Sequence, residues 1–309
     1  MLDIRSVGVE SADFPPKLRD LPAMPRRLYY CGSLPGDGPS AAIIGARRCS
    51  AYGRHQAALF ARVLALNGIS IISGMARGID SCAQTAALEA GGRSYAVLGC
   101  GVDVCYPPTS RELYQRLPAR GGILSEFDPG TQPIAWHFPA RNRIISGLAD
   151  IVLVIEARPG SGSLITANFA LEQGRTVYAL PGRVTDAYSE GCNQLIAQGA
   201  SVALSPDVIL EELRRRSPVW SGKAAGERAG VSFGPDHGAP PGNPEKTAGT
   251  PVLSEEAVRM LKVMSDDPQS LGDIVGHLDI DPADGASAAA ELLMAGLIEE
   301  NAFHFYTRA

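Results

Sequence analysis

Lysine is missing from the middle of this 309-residue chain. Between Ala41 and Thr185 there is none, beside fourteen arginines and nine acidic residues, a local balance of +5 in a chain whose net charge is -5. The overall charge argues against a generic basic binder of nucleic acid, so any anion site must be local. Arginine without lysine suits planar, multi-donor contacts to phosphate or carboxylate and stacking on flat rings. A GC-rich genome produces the same bias, so composition leaves both explanations open. The six cysteines (31, 49, 82, 100, 105 and 192) never form C-x-x-C, which excludes a zinc ribbon or a disulfide framework and fits reduced thiols. The N-terminus has no apolar leader segment and no uncharged run reaches membrane-spanning length, so a cytoplasmic protein with no membrane partner is expected.

Two nucleotide fingerprints are absent as well. In LGCGVDV, Gly99 and Gly101 approach G-x-G-x-x-G, but Val104 stands where the third glycine belongs, which excludes a dinucleotide site. A Walker A loop needs G-K-[ST], and the block has no lysine. No His, Cys, Asp or Glu cluster has metal-ligand spacing. His55 and His137 have no Cys or Ser partner that the sequence can place. No metal, cofactor or catalytic residue is therefore expected.

What the chain does have is rhythm. Apolar runs AAIIG, ISIISG, SYAVLG, GGILSE, IVLVIEA and TVYALPG alternate with helix-like stretches such as YGRHQAALFARVLALNG and SLITANFALEQGR. Short buried strands between amphipathic helices predict a Rossmann-like α/β fold, a mostly parallel sheet with helices on both faces. Residues 1–38 read as a Pro-rich lead-in packed on the main domain, and 39–216 as the sheet domain. Residues 217–251 carry seven Gly and six Pro without periodicity, a flexible linker. Residues 252–309 read as three short helices and a hairpin, the winged-helix plan. The candidate recognition helix, 284–295, has no Lys or Arg. A domain gripping duplex DNA needs such charges, so protein contact or regulation is the expected role.

Four stretches carry chemistry. AIIGARRCSAYG puts Arg47 and Ser50 in a turn before a helix, either an anion nest or an ordinary Ser-capped helix with solvated arginines. ISGMARGID places Ser73, Gly74 and Arg77 in a second glycine-rich turn, with Asp80 behind them. SGSLITA sets Ser161, Ser163 and Thr166 at a third helix start. In WHFPARNRIISG, Arg141 and Arg143 flank Asn142 beside the flat rings of Trp136 and Phe138. Arginine forks beside exposed aromatics suit single-stranded nucleic acid; the alternative is core rings and structural ion pairs. Glu156 and Asp80 could polarise a bound group, but capping a helix or pairing with arginine is the plainer role.

The order AIIGARRCSAYG, SGMARGIDSCAQTAAL, AVLGCGVDVCYP, GGILSEF, FPARNRIISGLAD, VLVIEARPGSGSLITANFALEQGRTVYALPG and GCNQLIAQGA closely resembles the DNA-processing protein A family, DprA, also called Smf. The resemblance covers residues 11 to about 213. It implies a single-stranded DNA-binding protein without catalysis of its own. Such a protein protects the incoming strand and loads RecA recombinase onto it during natural transformation or recombination. It would displace single-strand-binding protein and act as a homodimer. By motif, Arg47, Ser50, Ser73, Gly74, Phe138, Arg141, Asn142 and Arg143 would line the strand groove. The chain departs from the family at three points. It begins almost directly at the lead-in, without the helical domain many members carry. Ala46 stands where Ser is frequent. Cys82, Ala83 and Gln84 replace a small-residue-then-His pair, so any ligand role of that His is lost or passes to Gln84. A rival expectation is a nucleotide-binding enzyme that hydrolyses nucleoside monophosphates, using a glycine-rich loop and a Glu such as Glu156. The text PGSGSLITA departs from the P-G-G-x-G-T-x-x-E pattern associated with that chemistry.

Overall fold

In the computed structural model, residues 3–216, 253–264, 269–300 and 305–308 are described. They fall into two compact units, Met1–Glu227 and Arg228–Ala309.

The first unit is built on β1 (Arg5–Gly8), β2 (Arg27–Gly32), β3 (Ser40–Ile44), α1 (Ala51–Leu66), β4 (Ser70–Ser73), α2 (Ile79–Glu89) and β5 (Ser94–Val97). It continues through α3 (Arg111–Arg116), β6 (Gly121–Ser125), α4 (His137–Gly147), β7 (Ile151–Val154), α5 (Gly162–Glu172) and β8 (Thr176–Ala179). It closes with α6 (Glu190–Ala197), β9 (Ser201–Val202) and α7 (Pro206–Arg216). The nine strands form one sheet in the order β1-β2-β6-β5-β4-β3-β7-β8-β9. From β6 to β9 every pairing is parallel, while β1 and β2 add an antiparallel edge.

All five residues of β3 are buried, and period-two alternation divides them between two cores. Ala42 and Ile44 point to the layer that holds Ile144 and Ile145 of α4, Ala167 of α5 and Leu195 of α6. Ala41 and Ile43 point to the layer of Phe60 and Leu64 of α1, Ala83 of α2 and Leu213 of α7. Helices therefore cover both faces, as the unbroken apolar strands require. A third cluster, around Ala96, Leu98, Ile123, Leu113 and Tyr114, closes the β6 end.

The lead-in contributes more than its prolines suggest. Pro15, Pro16, Pro22 and Pro25 all lie between β1 and β2, which hides the two short strands on either side. Phe14, Leu18 and Leu28 are fully buried in the α4 layer, so this segment is part of the main core. Lys17 reaches across to Asp150 at 2.6 Å and to Ser40 Oγ at 2.8 Å, fixing the lead-in to the start of β3.

The second unit comprises α8 (Glu255–Val263), β10 (Gln269–Ser270), α9 (Leu271–Leu278), α10 (Pro282–Met294), β11 (Ile298–Glu300) and β12 (Phe305–Arg308). Its three strands pair antiparallel in the order β10-β12-β11. Met260, Ile274, Leu278, Leu292, Ile298 and Tyr306 form its own core. The expected linker, 217–251, lies outside the described residues. No helix among the described residues is long and apolar enough to cross a membrane.

Candidate nucleic-acid groove

Strand order reverses beside β3: the chain runs outward through β4 and β5 on one side and through β7 and β8 on the other. The connections leaving β3 and β7 consequently diverge and open a crevice beyond their carboxyl ends, where open parallel sheets place ligands. A groove of about 860 Å³ lies there. Its floor and walls come from the turn after β3 (Gly45, Ala46, Arg47, Arg48), the start of α4 (Phe138, Arg141, Asn142) and the β7–α5 turn (Arg158 to Ser163). Tyr106 and Tyr188 complete it from more distant loops. Among the described residues, four arginines line it, 47, 48, 141 and 158, against one carboxylate, that of Asp80.

The turns stay open because they are braced from behind. Ser50 caps α1 by accepting from Gly53 N, and Glu156 at the end of β7 holds Ser50 in turn. Ser50 N donates to Glu156 Oε2 at 2.9 Å, and the Ser50 hydroxyl bonds Glu156 Oε1. Glu156 is buried, and burial lifts its carboxyl above the ordinary value of 4.5. Gly78, with φ of 81°, brings the β4–α2 turn against the Arg47 turn; a Cβ there would lie 2.3 Å from the Ala46 carbonyl oxygen.

Arg141 is the buried pivot. It is 4% exposed, and its Nη1 donates to the Gly74 carbonyl at 2.9 Å and to the Val97 carbonyl, tying α4 to the ends of β4 and β5. Its Nε is buried without a hydrogen-bond partner. Burial lowers the guanidinium to about 10, opposed by the attraction of Asp80. The Asp80 carboxyl is itself raised by burial, against the pull of Arg141 and the Gly74 amide. Above this layer the Arg47 guanidinium lies over the Phe138 ring at 5.5 Å, and Tyr106 packs on the same ring at 5.4 Å. Phe138 is half-buried and Arg47 exposed. Phe138 therefore forms part of the groove wall.

Of the candidate residues, Arg47, Phe138, Arg141, Asn142, Ser161 and Ser163 meet in the groove lining. Ser161 caps α5, its hydroxyl 2.7 Å from that of Ser163, and Asn142 Nδ2 donates to the Gly162 carbonyl at 3.2 Å. Five others stand outside the lining. Ser50 is held by Glu156. Ser73 is buried and donates to the Ile43 carbonyl at 2.7 Å. Gly74 lies beneath Arg141, with its amide given to Asp80. The Met75 amide next to it is taken by Gln84 Oε1 at 3.0 Å, so this second turn has no free nest at those amides, and Gln84 is a buried brace. Arg77 is exposed and donates to Thr109 Oγ1. Arg143 Nη2 donates to both carboxylate oxygens of Glu126 at 2.7 Å, while its Nε and Nη1 donate to the Ala23 and Ala140 carbonyls.

Tyr106, Arg158 and Tyr188 escaped the sequence reading. Arg158 adjoins SGSLITA and could have been included as a basic residue at a strand end. The two tyrosines belong to loops with no periodic signal. Among the described residues no group of three or more His, Cys, Asp or Glu could hold a metal ion. Positive forks, hydroxyls and ring faces in one open groove can hold phosphodiesters and stack planar bases.

The family model described as DNA recombination-mediator protein A matches residues 5–214. The chain is 42% identical over 200 residues to DNA processing protein DprA of Streptococcus pneumoniae, covering 64% of this chain and 71% of that one. It is 45% identical over 210 residues to protein Smf of Escherichia coli, covering 67% of this chain and 56% of that one. For protein Smf of Synechocystis the figures are 42% over 209 residues, 66% and 52%. The chain thus spans about half the length of the last two relatives. Among solved structures, DprA from S. pneumoniae superposes with a TM-score of 0.64 at 39% identity, covering 68% of this chain and 74% of that one. DNA processing protein A from Helicobacter pylori, whose structure is described as giving its single-stranded DNA binding mode, superposes at 0.62 with 29% identity, covering 70% and 97%.

Proposed function

The chain belongs to the DNA recombination-mediator protein A family, and on that premise we propose that it binds single-stranded DNA in the groove beyond β3 and β7. The observation that carries this function is the Arg47–Phe138 pair, a cationic fork over a half-buried ring in a groove lined, among the described residues, by four arginines and one carboxylate. Phosphates pair with the exposed forks of Arg47, Arg48 and Arg158, while Phe138 offers its ring to a base. The single-stranded DNA binding ascribed to the H. pylori relative supports the same ligand class.

The finer steps are proposals of the same origin. The bound strand is protected and passed to RecA recombinase, with single-strand-binding protein displaced. The protein works as a homodimer in the cytoplasm, during natural transformation or recombination. Its second unit is taken as a winged helix with a protein-contact role, because the stretch from Pro282 to Met294 has no lysine or arginine. No catalysis is assigned to the groove. Glu156, the carboxylate the rival hydrolase would draw on, is occupied in accepting from Ser50, the cap of α1.

Fluorescence anisotropy with a labelled oligothymidylate at two salt concentrations tests the ligand. Wild type should bind with strong salt dependence. Arg47→Ala should bind more weakly and lower the log–log salt slope by about 0.7, the contribution of one single-strand phosphate contact. A wild type that fails to bind at low salt would sink the proposal.

A further inference from the structure

The groove holds a second cation–ring pair. The Arg158 guanidinium lies over the Tyr188 ring at 4.3 Å, and both residues line the same cavity as Arg47 and Phe138. They come from different parts of the sheet: Arg47 leaves β3, whereas Arg158 leaves β7 and Tyr188 follows β8, which neighbours β7 on the far side. The two pairs therefore stand on opposite sides of the point where strand order reverses. We propose that Tyr188, backed by Arg158, is a second base-stacking station, so that the groove takes at least two nucleotides of one strand. This rests on the single-stranded DNA function proposed above.

Three features support the station. Tyr188 is half-buried and backbone-anchored: its carbonyl accepts from Ala157 N at 2.9 Å and its amide donates to Asp186 Oδ1 at 2.9 Å. Gly191 N returns a bond of 2.7 Å to the Ala157 carbonyl, so the loop is fixed to the end of β7. A loop already fixed, with the Arg158 guanidinium against one side of the ring, leaves less freedom to be lost when a base stacks there. The charge is suitable too. Arg158 is exposed and positioned for a phosphate next to the stacked base, while Asp186 turns its oxygens to the Tyr188 amide and the Ser189 hydroxyl. The groove's size also fits. Its volume of about 860 Å³ sits at the large end of the roughly 300–1,000 Å³ of small-ligand sites.

The test is anisotropy with a labelled oligothymidylate for wild type, Tyr188→Ala, Tyr188→Phe and Phe138→Ala. The same proteins are also titrated with strands carrying one abasic position at successive sites. Tyr188→Ala should weaken binding roughly tenfold, while Tyr188→Phe, which keeps the ring, stays within about twofold of wild type. The two alanine variants should be insensitive to abasic substitution at two different positions of the strand. Thermal melts keep folding separate, since Tyr188→Phe must restore any stability that Tyr188→Ala loses. If wild type binds and Phe138→Ala is weakened while Tyr188→Ala is not, the second station is overturned and the first function stands. If wild type does not bind at all, both fall.

Discussion

Arg141 and Arg143 stand two positions apart in one motif and do different work. Arg141 is buried with its Nη1 on the Gly74 and Val97 carbonyls, so Arg141→Ala leaves those acceptors and Asp80 without their cation. Breaking such a buried charge arrangement costs about 3–5 kcal/mol. Arg143 is partly exposed, with 15% of its side chain accessible in the pair with Glu126, and its removal should cost about 1–2 kcal/mol. Thermal or urea melts should show the larger loss for Arg141→Ala, the smaller for Arg143→Ala and nearly none for the exposed Arg47→Ala. Equal stability of the Arg141 and Arg143 variants would refute the assignment. Loss of DNA binding in an Arg141 variant reports a collapsed groove as much as a lost contact, which makes Arg47 the cleaner probe. The sequence made these arginines visible as candidates because they flank a helix start beside aromatics. Which way each points depends on the neighbours it meets, and those come from β4, β5 and β6, far away along the chain. Tyr188 was invisible for the same reason: its partner lies thirty positions earlier, and no local pattern joins them.

At the scale of elements, the strands were the most legible part. The runs AAIIG, ISIISG, SYAVLG, GGILSE, IVLVIEA and TVYALPG correspond to β3, β4, β5, β6, β7 and β8, because strands buried on both faces are apolar along most of their length. β1, β2 and β9 were not legible: β1 and β9 are the edge strands and β2 lies next to one, they are short or mixed in burial, and two of them flank prolines. The start of α1 shows how an element is secured for function. Ser50→Ala removes the cap and the contact to Glu156, at a cost of about 1–2 kcal/mol, measurable as a shift in urea midpoint. The carboxylate below it has a pH signature. Burial raises Glu156 above 4.5, so between 4.5 and its folded value the native chain keeps a proton the unfolded chain has released. Its stabilising contribution is full below 4.5 and is lost as pH rises through the folded value. Urea unfolding near pH 4.5 and near neutrality should therefore show a smaller fall in stability for Glu156→Gln than for wild type; identical profiles would refute it.

At the scale of the whole chain, the acidic balance and the basic groove belong to different parts of the sequence. Of 28 basic and 33 acidic residues, residues 228–309 hold 5 and 13, leaving 23 and 20 in residues 1–227, a net +3. Every groove residue lies in the unit Met1–Glu227, and the second unit has a separate core. A fragment of residues 1–227 keeps the sheet, both helical layers and the groove, and loses a segment of net -8. It should fold on its own and bind single strands at least as tightly as the full chain. At low salt it should bind more tightly, because the removed negative field repels a phosphate backbone. That advantage should vanish as salt shortens the screening length towards about 3 Å at molar strength. Anisotropy titrations of both proteins across a salt series decide the matter. Weaker binding by the fragment at every salt concentration would mean that the second unit contributes contacts to the strand, despite an α10 without lysine or arginine.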